Sequence, residues 1–233
     1  MSEREHERVP YVVQVEFRTA SSFLVAYSVN LSRGGLFIET PHEIPSGSTT
    51  QVTLKVPGAT PVKLVGVVQW RRGEESPEGP AGLGIEFEDI GLQLGMVLAQ
   101  LVGTFHGMQV LVLSGDRQDR TTLARSIKSI ISTAEIMQAA DASVAAALMT
   151  SEVDLAVVDI DFDQEGGLAT LRMAKALRPP VPVVAITSRP ELRELARAAG
   201  ADELATNPPP FAELQVVLVR AMSKPVGVTG HAT

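Results

Sequence analysis

From Tyr11 the chain alternates apolar and polar positions. Tyr11, Val13, Val15 and Phe17 fall on one side, and Gln14, Glu16 and Arg18 on the other. A period of two is the mark of a half-buried strand. Val52, Leu54 and Val56 repeat it after the Pro45-Ser46-Gly47 break, Leu64 to Trp70 gives another run, and Ile85 and Phe87 follow Gly82-Leu83-Gly84. Phe23 to Val29 and Leu36 to Ile38 are two more apolar runs, joined by polar Asn30 to Gly35, and read as strand, turn, strand. Short strands broken by Gly and Pro predict an antiparallel barrel or sandwich. The charged, Gly- and Pro-rich stretch from Arg71 to Gly82 predicts a long exposed hairpin loop, with Gly79, Gly82 and Gly84 as turn or bulge positions. Gly91 to Phe105 has no charged residue, and its apolar positions cover most of a helix circumference. A surface helix keeps one polar face, so this one is expected to be covered on two sides.

Beyond residue 107 the period changes. Val110 to Leu113 precedes a helical pattern from Asp116 to Ile131; Ile136 precedes Ala142 to Met149; Leu155 to Ile160 precedes Leu168 to Leu177. Val183 to Thr187 with Glu191 to Ala199, and Leu204 to Thr206 with Phe211 to Met222, complete five βα units. Such alternation predicts a five-stranded parallel sheet, doubly wound by helices. In the last helix Leu214, Val217, Leu218 and Ala221 share one face and should pack on the sheet. Ala212, Val216 and Val219 share the opposite face, where an exposed helix would carry charge. The expected layout is a first domain over 1–106, a second over 107–223, and a flexible tail over 224–233.

Composition narrows the function classes. The 233 residues are 45% hydrophobic and 20% charged, enough to bury two cores. The absence of cysteine excludes disulfides, thiolate metal sites and thiol catalysis, and leans towards a reducing, cytoplasmic setting. The polar N-terminus has no leader-like apolar segment, and no stretch reaches the ~20 apolar residues of a membrane span. The net charge of −7 is shared: residues 1–106 carry eight Lys and Arg against twelve Asp and Glu, and residues 107–233 twelve against fifteen. Neither half has the basic field that DNA binding requires. The four histidines lack HxxxH or HxH spacing, and no GxxxxGK[ST] or GxSxG occurs, so neither a metal site nor a catalytic centre is expected.

Two short motifs carry chemistry of a different kind. Arg4 and Arg8 lie four residues apart before the first strand, and guanidinium forks suit phosphate oxygens and the O6/N7 edge of guanine. Asn30-Leu31-Ser32-Arg33-Gly34-Gly35 sets short polar side chains beside two glycines, which lets a backbone come close to a ligand. Together they resemble the RxxxR and (D/N)xSxxG signature of the PilZ domain, as Arg4, Arg8, Asn30, Ser32 and Gly35. The resemblance runs over about residues 1–103. It implies a six-stranded antiparallel β-barrel, and a non-enzymatic cytoplasmic receptor for the bacterial second messenger cyclic di-GMP, with no cofactor beyond that ligand. Glu3, Glu5 and Glu7 interleave with the arginines, where family members often have a basic stretch.

The second half resembles the receiver domain of two-component response regulators. By that resemblance Asp159 stands at the phospho-acceptor position and Thr187 at the family's Thr/Ser. The acidic pair that holds magnesium is replaced by Ser114-Gly115, and the expected lysine by Asn207. Mg²⁺ wants hard oxygen ligands, and an amide cannot neutralise a transferring phosphoryl group, so phosphotransfer on Asp159 is not expected unless Asp161 and Asp163 substitute. The favoured reading is an adaptor that relays the nucleotide signal to a protein partner. Contact would run through the last helix, at Val216 and Val219, or through the 91–105 helix, with self-association as another use of the same faces. The alternatives are a phosphorylation-responsive regulator using Asp159, or a PilZ-like interaction protein that no longer binds the nucleotide.

Overall fold

Valines and leucines that alternate along the first hundred residues collect on one side of a six-stranded sheet. The computed structural model describes residues 11–29, 34–40, 42–73, 81–88 and 91–232. The chain divides into two compact units: one takes residues up to Thr104 together with Lys224 onwards, the other Phe105–Ser223. The chain therefore leaves the first unit once and returns to it.

In the first unit, β1 (Tyr11–Glu16), β2 (Gly35–Glu39), β3 (Thr49–Lys55), β4 (Val62–Arg72), β5 (Gly82–Phe87) and β11 (Gly227–Ala232) form one sheet in the order β11-β1-β3-β4-β5-β2. Two expectations are corrected here. The sheet is mixed, because β1 and β3 run parallel from Tyr11 opposite Thr50, and it is open, with β11 and β2 at its edges rather than paired into a barrel. The tail over 224–233 was expected to be flexible, yet β11 pairs antiparallel with β1 along its whole length, from Tyr11 opposite Ala232 to Glu16 opposite Gly227. Two glycines in Gly227–Ala232 hide it from any propensity argument. What makes it a strand is the row of β1 backbone groups that need partners.

A third correction concerns Phe23 to Val29, which belongs to a helix, α1 (Ala20–Val29), and not to a strand. Thr19 and Ser22 cap each other: the Ser22 N–H donates to Thr19 Oγ1 and the Thr19 N–H to Ser22 Oγ, both at 3.1 Å. This reciprocal cap nucleates a turn, and Phe23 and Ala26 then fall one turn apart on the buried face. Phe23 meets Phe17 edge to face at 5.1 Å. Arg18, expected on the polar side of the first strand, lies beyond its end and is buried.

Helix α2 (Gly91–Gly103) buries Leu94, Val97 and Leu101 in the same core as β1 to β5. Each such side chain stabilises by about 1.5–3 kcal/mol. Its other face, Leu92, Met96 and Val102, is exposed, so the expected second cover is not seen among the described residues.

The second unit has β6 (Met108–Leu113), β7 (Ala134–Ala139), β8 (Leu155–Asp159), β9 (Val183–Ile186) and β10 (Glu203–Ala205), all parallel, in the order β10-β9-β8-β6-β7. Helices α3 (Arg117–Ile130), α4 (Ala142–Leu148), α5 (Gln164–Ala176), α6 (Pro190–Ala198) and α7 (Phe211–Ser223) alternate with them. Every residue of β8 and β9 is buried, as parallel strands covered on both faces must be. On α7, Leu214, Val217, Leu218 and Ala221 are buried, as their spacing predicts. No helix among the described residues is long and apolar enough to cross a membrane.

Candidate functional site

The carboxyl ends of parallel strands gather side chains from separate loops, and here they gather seven polar residues. Asp159 ends β8, and its carboxylate is buried. Ser114, which follows β6, donates its hydroxyl to Asp159 Oδ2 at 3.0 Å. Asp159 Oδ1 accepts from the Asp161 N–H at 2.9 Å and from the Asn207 amide at 3.1 Å. The same Asn207 amide nitrogen donates to Asp161 Oδ2 at 3.1 Å, so one neutral side chain bridges two carboxylates. Asp161 also accepts from the Thr187 hydroxyl, from the Ser188 N–H at 2.7 Å and from the Ser188 hydroxyl at 2.8 Å, and Arg189 Nε stands 3.5 Å from its Oδ1.

Environment pushes the two acids in opposite directions. Burial raises the Asp159 carboxyl above its ordinary range, and the nearby charges of Asp161 and Asp119 add to this. The hydrogen bonds from the Asp161 N–H and Ser114 offset part of it. Burial acts on Asp161 too, but donation from Thr187, Ser188 and Asn207 outweighs it and holds that carboxyl below its ordinary range.

The geometry shows what stands where the sequence resemblance implies a second acid. A Cβ added at Gly115 would run into the Phe162 ring, so an aromatic side chain fills the space that the second acid of a metal-holding pair would need. Asp116 is turned away, capping α3 through the Gln118 and Asp119 N–H groups at 2.7 and 2.9 Å. Asp163, weighed as a substitute ligand, caps α5 through the Gly166 N–H at 3.0 Å. Asp161, the other one, has both oxygens occupied by donors. A pocket opens beside Asp159, lined by Gly115, Asp141, Phe162 and Asp163, but Asp141 is likewise a helix cap, on α4. Sequence reasoning brought together Ser114, Asp159, Thr187 and Asn207. It missed Phe162, Ser188 and Arg189, whose only signal was their position next to strand ends.

Incubation with a small phosphodonor and Mg²⁺, read by intact mass, should therefore leave the protein unmodified. Restoring the acidic residue alone, as Gly115→Asp, should not change this while Phe162 remains. An added phosphoryl group that disappears in Asp159→Ala would overturn the reading.

Of the motif residues singled out in the sequence, Arg4, Arg8, Asn30 and Ser32 lie outside the described residues. Gly35 opens β2 opposite Glu86, and a Cβ there would stand 3.1 Å from the Ile85 carbonyl oxygen. Gly34 before it adopts φ +84°, a conformation that favours glycine.

Comparison with known proteins follows the two units. The PilZ domain matches residues 2–103, a span that holds all five motif residues. The TrkA-N domain matches residues 91–207, which is 117 of the 233 residues. Over that half the chain belongs to the TrkA-N domain family. The two matches share residues 91–103, the whole of α2. No curated protein is a significant match. Similar solved structures include the receiver domain of a DNA-binding response regulator from Colwellia psychrerythraea, at 19% identity and TM-score 0.43, covering 48% of this chain and 94% of that one. The chemotaxis response regulator CheY4 of Vibrio cholerae is similar at 18% and 0.44, covering 49% and 98%. A response regulator from Thermotoga maritima is similar at 19% and 0.44, covering 51% and 99%.

Strand order is an independent guide to this half. Numbered within the unit, the sheet runs 2-1-3-4-5, the receiver and flavodoxin order, and not the 3-2-1-4-5-6 of dinucleotide-binding sheets. The loop after β6, Ser114-Gly115-Asp116-Arg117, has one glycine, and the Asp116 carboxylate occupies the helix N-terminus where a pyrophosphate would sit. No dinucleotide site is carried over to it.

Proposed function

We propose that this chain is a cyclic di-GMP receptor of the adaptor kind, without chemistry of its own, that passes the signal to a protein partner. The observation that carries the reading is the PilZ match over residues 2–103, with Arg4, Arg8, Asn30, Ser32 and Gly35 in order within it. Arg4 and Arg8 would take guanine edges and phosphates, while Asn30, Ser32 and the Gly35 backbone line the floor. The second unit supports a binding role, because its strand-end carboxylates are consumed by hydrogen bonds instead of facing a metal. Titration calorimetry of the full chain with cyclic di-GMP tests the reading, and the absence of saturable heat would reject it.

The relay needs a surface, and α7 offers one. Val216 is 48% exposed and Ala212 is exposed, on the side away from the buried face. Leu92, Met96 and Val102 of α2 form a second uncharged face. Val216→Glu with Val219→Glu is expected to leave the circular dichroism spectrum unchanged and to lower the mass measured by light scattering, or to abolish partner capture. A double variant with the same mass and the same capture would remove α7 from the relay.

A further inference from the structure

Strand β11 joins the first unit only after the chain has passed through the second. Among its described side chains Val228 packs against the core, and Gly227 and Gly230 have none to offer. Its grip is mostly backbone. The whole strand pairs with β1, and the Val226 N–H just ahead of it donates to the Glu16 carbonyl at 2.8 Å. A strand that adds so little to the core contributes position more than burial.

That position is fixed from two sides. β1 lies along one edge, with Tyr11 opposite Ala232 and Glu16 opposite Gly227. The end of β2 and the residues after it meet β11 from elsewhere. Lys224 Nζ, just before the strand, stands 3.8 Å from Oε2 of Glu39, the last residue of β2. A Cβ at Gly230 would lie 3.4 Å from the His42 ring. β11 and β2 are the two ends of the sheet order, so these side-chain contacts span its open seam.

In the sequence, Arg4 and Arg8 precede β1, and Asn30 to Gly35 lead into β2. β11 therefore touches both of the strands that follow the two halves of the motif. At its start it joins α7: Ser223 closes that helix and Gly227 opens the strand, with Lys224, Pro225 and Val226 between. Such a short linker, with one φ fixed by proline, has little slack.

We propose that β11 is the strap through which the first unit acts on α7. Nucleotide held by the two halves of the motif fixes β1 and the end of β2 around β11. The short linker passes that restraint to the last turn of α7, whose exposed face carries Val216. The proposal rests on the receptor reading above and supplies its internal route.

Hydrogen exchange of the full chain, read by mass spectrometry on peptides from α7 and β11, tests the strap beside calorimetry with cyclic di-GMP. In one variant a flexible Gly-Ser segment is inserted between Ser223 and Lys224, which slackens the linker and leaves every contact of β11 available. Without nucleotide, the insertion should speed exchange in the last turn of α7 about tenfold and leave β11 unchanged. With nucleotide, exchange in β11 should slow about tenfold in both forms, but in α7 only in the parent. Lys224→Glu, which sets two like charges together at Glu39, should loosen β11 while the circular dichroism spectrum holds. Unchanged α7 exchange on insertion, or heat of binding with β11 unaffected, would overturn the strap and leave the receptor reading intact. Titration without heat would reject the receptor reading, and the strap's part in it.

Discussion

Replacing Asp161 by alanine should lower the stability of the second unit by about 3 kcal/mol, or about 10 °C in its thermal transition. Its carboxylate accepts from Thr187, Ser188 and Asn207, and Arg189 stands beside it. Each orphaned buried donor costs about 1–3 kcal/mol, but Ser188 and the half-exposed Arg189 can turn to water, which keeps the total well below the simple sum. Asp159→Asn should behave differently, staying within about 1 kcal/mol of the parent or exceeding it at neutral pH. Its burial disfavours the charge that the substitution removes, and the amide oxygen can still accept from the Asp161 N–H.

The pH dependence separates the two acids. The Asp161 carboxyl is depressed in the fold, so its contribution is present above the unfolded value of about 4 and is lost as the pH falls through its folded value. The Asp159 carboxyl is raised, so its cost is absent in acid and appears as the pH climbs through the same unfolded value. Thermal melts from pH 3 to 7 should therefore show Asp159→Asn gaining on the parent as the pH rises, and Asp161→Ala falling behind it. Parallel curves for the two variants would disprove the assignment.

Arg8→Ala should weaken cyclic di-GMP binding by roughly tenfold to a hundredfold, and Arg4→Ala by a similar factor. A charge-assisted bidentate contact is worth about 1.5–3 kcal/mol, and alanine leaves the phosphate or guanine edge with no replacement. The loss should come without a change in melting temperature, because Arg4 and Arg8 precede the first strand. Asn30 in place of aspartate gives up a doubly accepting carboxylate for guanine N1–H and N2–H, so the parent affinity itself is expected to be modest. Calorimetry showing Arg8→Ala binding as tightly as the parent would contradict the site.

The sequence by itself determined the five βα units, because buried parallel strands and amphipathic helices have periods that neighbouring residues alone reveal: Leu155 to Val158 is apolar throughout, and Leu214, Val217, Leu218 and Ala221 recur at helical spacing. Ser114, Gly115 and Asn207 can likewise be read in place as neutral residues around Asp159. Tertiary structure alone decided three things. β11 is a strand only because β1, more than two hundred residues earlier, presents an unpaired edge, and no local propensity encodes such a partner. Residues 23–29 are helical because the Thr19–Ser22 cap and burial of Phe23 outweigh a β-prone composition. Phe162 closes the space beside Gly115, and Asn207 ties Asp159 to Asp161, through contacts 47 and 48 residues apart along the chain. The Phe37–Trp70 pair belongs to the same class: each ring sits over a glycine of a strand between them, an arrangement set by sheet register and invisible to spacing in the chain.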